Sequence, residues 1–358
     1  MNITIIGGGN IGTLMAAEFA SRGHDVTIYT SKPEKWNYEV IAFTENDSII
    51  FSGQLRNVTN KIGVALSEAE VIFLTSPSFL FNELANQMLP YTKPGQMIGI
   101  VPGNGGAEFA FAKHILKGCI LFGLQRVHSI ARLAEYGKSA YMLGRKPDLS
   151  VAAVPTSFTH DIAIMLNRLF NMPCFALPNY LSVTLTPSNQ ILHTSRIYAM
   201  FKDYENGVIY PRNFLFYEEW DDLSSEILIN CDQELQLICN SLRPLNLQYV
   251  KSLKEHYESD TISKMTYKII HIPAFKGLTS PMKRVNAGWI PDFQSRYFTA
   301  DFNFGLKIIK DIGILMGINT PHINEVWDWY KSVRENKTEF SLDNYAITDH
   351  YSFVSLYD

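Results

Sequence analysis

The sequence has no dense run of lysine or arginine, no apolar stretch approaching a membrane span, and no cysteine pair at C-x-x-C spacing. Its net charge of −4 is mild. Nothing in the charge pattern therefore calls for nucleic acid. Residues 71–81 are apolar, but Ser76-Pro77-Ser78 interrupts them, and a span needs roughly 18 residues; no membrane partner is expected. The four cysteines, Cys119, Cys174, Cys231 and Cys239, are scattered. That argues against a zinc knuckle or any other metal site and suits small buried hydrophobes in a reducing compartment. There are no internal repeats or low-complexity segments. The first strand begins at the second residue, so no secretion signal is expected and the location is read as cytoplasmic. What is present, 358 residues with 46% hydrophobic and 18% charged content, suffices for two domains, each with its own core.

The first dozen residues organise the chain. Ile3, Ile5 and Ile6 form a short β-branched run that reads as a buried strand. Gly7-x-Gly9-x-x-Gly12 follows at once, with Asn10 and Ile11 inside it, and residues 13–21 read as a helix ending near Gly23. Gly7 permits the strand-to-helix turn, Gly9 leaves room for a pyrophosphate, and Gly12 lets the helix pack close to the strand. The helix start offers free N–H groups to phosphate. A second strand at residues 26–29 closes the unit at the usual length for a dinucleotide-binding motif.

The residues after that second strand bear on which nicotinamide cofactor binds. An acidic side chain there would accept the ribose 2′-hydroxyl of NAD(H). Thr30-Ser31-Lys32 stands there instead, and two hydroxyls with an ammonium suit a 2′-phosphate, so NADP(H) is favoured over NAD(H). Residues 71–74 read as a further parallel strand, with Ser76 just beyond its carboxyl end, where open α/β sheets bind ligands. Residues 97–101 run into Pro102-Gly103-Asn104-Gly105-Gly106, a second glycine-rich turn that places Asn104 near the nicotinamide or the substrate. Residues 119–124, 139–143, 151–154 and 174–177 are expected to finish the same sheet.

The second half changes character. Helical patterns span residues 187–204, with Thr186 as N-cap, and residues 219–242, 247–257, 261–270, 301–316 and 321–334. Asn189, His193 and Arg196 share one face of the first of these. Residues 271–292 read as a long loop, and Asp301 caps or opens the helix after it. The tail from residue 336 has aromatics but no strong pattern.

The glycine motif, the Pro102–Gly106 turn, the stretch from Arg132 through Pro155, His193, and Arg296-x-x-x-x-Asp301 together resemble the octopine/nopaline (opine) dehydrogenase family. Ketopantoate reductases are more distantly similar. The resemblance covers most of the chain. It implies an N-terminal α/β Rossmann domain that binds NAD(P)H and an all-α, mostly helical C-terminal domain. It also implies condensation of an α-keto acid with an amino acid and reduction of the imine to a secondary amine. His193 and Asp301 would be the catalytic pair, with Arg296 holding the keto acid. The chain departs from the family in having His193-Thr194 where members often have His-Pro, and Asp301-Phe302-Asn303 where they have Asp-x-Pro. His271 is the rival histidine.

The chemistry agrees with those residue types. Losing water from a carbinolamine needs an acid that works near neutral pH, which suits histidine. A carboxylate beside it fixes the tautomer, and a guanidinium matches a carboxylate in two-point fashion. The expected domains are residues 1–182 and 183–358, with the active site in the cleft between them. The partners are the two small-molecule substrates, and a homodimer is compatible with this reading. Two alternatives stand beside it: a reductase or hydroxy-acid dehydrogenase acting directly on C=O, and a non-catalytic NADP-binding sensor.

Overall fold

The computed structural model describes residues 1–334, 338–345, 347 and 349–357. Part of the tail read from residue 336 onward lies outside them. The chain divides into two compact units, Met1–Thr184 together with Tyr357, and Leu185–Leu356.

In the first unit the buried β-branched run becomes the strand Asn2–Ile6 at the heart of an eight-stranded sheet. On one side it pairs in parallel with Asp25–Tyr29, which pairs with Asn57–Thr59. On the other side lie Val71–Leu74, Met97–Ile100 and Ile120–Leu124, all parallel. Leu149–Val154 then joins antiparallel, and Cys174–Ala176 forms the edge. The chain order reverses direction at Asn2–Ile6, so Gly7 stands at the topological switch point, where such sheets bind their ligands.

One expectation fails here. Residues 139–143 do not finish this sheet. The strand Ser139–Arg145 belongs to a separate four-stranded sheet with Ser129–Glu135, Glu39–Phe43 and Ile49–Gln54. The helix Asn10–Ser21 packs against both sheets, which explains why Gly12 through Phe19 are buried without a polar face. Glu18 is fully buried in that helix and is balanced by Arg145 of the second sheet, at 2.7 Å, and by Arg22 at 3.0 Å. Phe19, Phe73, Phe122 and Phe170 form the aromatic centre of the core.

The second unit is mainly helical. Asn189–Phe201 packs on Asp222–Ser241, and Ile262–Ile270, Lys307–Leu315 and Pro321–Val333 surround them. Asp221 caps Asp222–Ser241 by accepting Ser224 N–H at 2.8 Å. Glu234, inside that helix, accepts the N–H groups of His322 and Ile323 at the start of Pro321–Val333.

The differences from the sequence reading are local. The helix expected from residue 187 starts at Asn189, with Ser188 rather than Thr186 at the N-cap. Residues 247–257 contribute only the turn Leu253–His256. The loop at 271–292 holds an antiparallel hairpin, Met282–Val285 with Gly288–Pro291.

Candidate active site

At the switch point Gly7 adopts φ +116°, a conformation that side chains rarely take. A Cβ on Gly12 would lie 1.9 Å from the Gly7 carbonyl oxygen, so strand and helix meet there at backbone distance. Gly9 is different. It is exposed, with φ −82°, and nothing lies within 4 Å of where its Cβ would be. The space above it and the helix N–H groups fit a pyrophosphate. Asn10 serves the scaffold, since its side-chain oxygen accepts Leu133 N–H at 3.0 Å and ties the turn to the second sheet. Ile11 packs against the core. Ser76 and Thr75 donate to the Ile6 carbonyl, and Thr75 also to that of Gly7, pinning the end of the central strand.

Beyond the second strand, Thr30 is buried and its hydroxyl bonds Tyr136 Oη at 2.9 Å. Only Ser31 and Lys32 of that trio present side chains to solvent. Asn104 is half-buried in a turn whose Gly105, at φ +94°, packs on Ser78. Beneath this turn, Tyr180 donates to the Gly103 carbonyl at 3.0 Å. Glu108 is buried and accepts from Thr184 and, at 3.0 Å, from Tyr357. Burial pushes its carboxyl up to about 7, against the opposing hydrogen bonds.

In the helical unit, two residues 108 positions apart meet. His193 Nδ1 lies 2.7 Å from Asp301 Oδ2. The imidazole is 5% exposed and the carboxylate 18%. Asp301 opens the helical run of residues 302–315, as expected, but without a side-chain cap bond: its carboxylate is engaged by His193 instead. A π-helical turn, Phe302–Leu306, follows it, with Leu306 N–H bonding the Asp301 carbonyl at 2.8 Å. Such turns recur at functional sites because they re-aim neighbouring side chains. Arg296 opens the short helix Arg296–Thr299 five residues earlier. It is exposed, and among the described residues no carboxylate pairs with it. His271 lies on the surface at the end of Ile262–Ile270, donating from Nδ1 to the Tyr267 carbonyl at 2.7 Å and stacked on the Tyr267 ring.

The residue that sequence reasoning missed is Tyr217, whose hydroxyl lies 2.8 Å from His193 Nε2. Phe216 and Tyr297 complete the aromatic wall, with ring centroids 5.5 and 4.5 Å from the imidazole. Arg196 builds this wall. It is buried and donates to the carbonyls of Phe216 and Glu219, to Asp221 and to Ser224. Asn189, expected on the same face, is exposed. The polar helix face thus carries the imidazole that meets Asp301 and one scaffold side chain.

A dinucleotide turn at a sheet switch point, with a close His–Asp pair in a helical unit, defines the class of two-domain NAD(P)-dependent dehydrogenases. The comparisons agree. The model described as NAD-dependent glycerol-3-phosphate dehydrogenase N-terminus matches residues 2–118. That described as NAD/NADP octopine/nopaline dehydrogenase, alpha-helical domain, matches residues 176–334. Octopine dehydrogenase of Mizuhopecten yessoensis is 25% identical, over 92% of this chain and 89% of its own. Tauropine dehydrogenase of Arabella iricolor is 26% identical, over 91% and 90%. The structure of an octopine dehydrogenase with NADH and L-arginine matches with a TM-score of 0.84 at 22% identity, over 99% of this chain and 98% of that one. Over nearly its whole length the chain is thus similar to octopine dehydrogenase and related opine dehydrogenases. Among the described residues no helix is long and apolar enough to cross a membrane, and no cluster of metal-ligating side chains occurs.

Proposed function

We propose that this protein is an opine dehydrogenase that condenses an α-keto acid with an amino acid and reduces the resulting imine, using NADPH in preference to NADH. The observation that carries the reading is the 2.7 Å contact between His193 and Asp301, with the unpaired Arg296 five residues before the aspartate. Gly7, Gly9 and Gly12, with the helix N-terminus, would hold the dinucleotide pyrophosphate, and Asn104 stands in the turn proposed to face the substrate. The bound nicotinamide supplies the hydride that reduces the imine carbon.

The remaining work falls to this chain's own side chains. Arg296 holds the keto acid's carboxylate through its planar fork. His193, oriented by Asp301, takes a proton from the amino acid's ammonium so that the free amine can attack the carbonyl. It returns that proton to the carbinolamine hydroxyl, which leaves as water. The preference for NADPH is supported by Ser31 and Lys32, both exposed directly after the second strand, where an acidic residue would otherwise select NADH. Thr30, turned inward, supports the turn rather than the phosphate.

The test is a screen of keto acids against amino acids, followed by NADPH absorbance. Oxidation that needs both substrates together is the expected result. Oxidation with a keto acid alone would identify a carbonyl reductase, and no oxidation with any pair would overturn the enzymatic reading.

A further inference from the structure

Resting on the reading of His193 as the acid–base group, we propose that Tyr217 is its positioning residue, holding Nε2 as the unprotonated, proton-accepting nitrogen of the resting enzyme. Asp301 lies at Nδ1, 2.7 Å away. A carboxylate can only accept, so Nδ1 carries the ring's hydrogen and Nε2 its lone pair. The Tyr217 hydroxyl, 2.8 Å from Nε2, then donates to it. The two contacts fix one tautomer and one ring orientation from opposite edges.

Tyr217 is itself held fast. Its ring is 4% exposed. It stacks on Phe275 with centroids 3.9 Å apart, lies parallel to Trp220 at 6.3 Å, and meets the edge of Phe216 at 4.9 Å. Among the described residues His193 Nε2 is the sole hydrogen-bond partner of the Tyr217 hydroxyl. If Nε2 gains a proton in the empty site, the phenol's hydrogen loses its acceptor inside a buried pocket, which is costly. Burial, and then Tyr297, Tyr257 and Asp301, hold the phenol itself well above its ordinary value, with Arg296 opposing. It therefore stays a donor throughout. The charged groups facing the pair are Asp301 and Arg296, with Tyr257 and Tyr297 beside them.

Tyr217→Phe keeps the stacked ring and removes the donor. A hydrogen bond to the neutral form depresses proton affinity. Its loss should therefore move the acid limb of the kcat/KM profile to higher pH, by about 0.4 to 1 unit for one neutral hydrogen bond. NADPH affinity and the KM for the keto acid should hold within about two-fold. In the wild type, 15N resonances of His193 should show hydrogen on Nδ1 and a bare, hydrogen-bonded Nε2, a measurement that needs no variant. A folded Tyr217→Phe protein with an unmoved acid limb, or a wild-type His193 with its hydrogen on Nε2, overturns the proposal. His193→Asn is measured alongside. If it keeps near wild-type turnover, the acid–base reading itself fails; if it is inactive while the Tyr217→Phe limb stays in place, only the role of Tyr217 fails.

Discussion

Replacing Asp301 with asparagine keeps the shape of the side chain and removes its charge. The carboxylate sits 2.7 Å from His193 Nδ1, with 18% exposure on its own side and 5% on the imidazole's. Water therefore screens the contact poorly. If the amide turns its oxygen to Nδ1, the tautomer survives, but the imidazolium formed during turnover loses its anion. A charge-assisted hydrogen bond is worth about 1.5–3 kcal/mol, which is roughly a 10- to 150-fold fall in kcat. If the amide turns its NH2 to Nδ1, the ring must carry its hydrogen on Nε2, and the loss grows towards about 10⁴-fold, as it does when such a tautomer is wrong. Either way NADPH affinity should not change. Steady-state NADPH oxidation with a productive substrate pair reads the effect, and thermal unfolding confirms the fold. His193→Asn with Asp301→Asn should be little worse than the poorer single variant, because residues acting as a unit do not add. A folded Asp301→Asn enzyme with near wild-type kcat would refute the assignment.

Three further outcomes are expected. Gly9→Val should abolish dinucleotide binding without lowering the unfolding temperature, since the Gly9 backbone suits any residue and its Cβ meets nothing within 4 Å; normal NADPH binding in titration calorimetry would place the cofactor elsewhere. Lys32→Ala should weaken NADPH by about 10-fold or more through loss of one charge-assisted contact and leave NADH nearly unchanged, as fluorescence titration with both cofactors would show. Glu108→Gln should flatten the stability profile between about pH 4.5 and 7: the buried carboxyl's folded-state value is raised from 4.5 to about 7, so the unfolded chain ionises first and wild-type stability falls as pH rises through that window. Unfolding midpoints of the two proteins across that window check this, and parallel profiles would show that Glu108 does not titrate there.

The elements that could be read from sequence are those whose signal is local. The strand–glycine–helix unit at residues 2–29 combines apolar periodicity with three glycines whose spacing has one geometric meaning, and the structure builds it as read. The long helices of the second unit were legible for the same reason. The second sheet was not. Glu39–Phe43 pairs with its neighbour Ile49–Gln54 on one side and, on the other, with Ser139–Arg145 about a hundred residues later, and Ser139–Arg145 has the same alternation whichever sheet receives it. Asp301 shows the same ambiguity at one residue. An aspartate before an apolar run reads as a cap, yet a tertiary partner at 2.7 Å outcompetes the local N–H groups.

The site's wall was illegible for a related reason, and Arg196 shows why. Its place on the His193 face of Asn189–Phe201 suggests a second substrate-facing group, but it reaches instead for backbone. Arg196 donates to the carbonyls on either side of Tyr217, those of Phe216 and Glu219, and this fixes the segment from which Tyr217 meets His193. Backbone acceptors have no residue identity, so no spacing in the sequence could announce them. Nor could the pattern Leu215-Phe216-Tyr217 distinguish a tyrosine bound for the imidazole from one packed for its ring alone. Its stack on Phe275 and its bond to His193 use the same side chain. A buried arginine that organises a loop, and a loop that then completes the environment of a histidine, form a chain of dependence that is tertiary at each step. This predicts where the sequence will remain a poor guide to selectivity in this protein: at the loop residues that Arg196 holds rather than on the helices that carry His193 and Arg296.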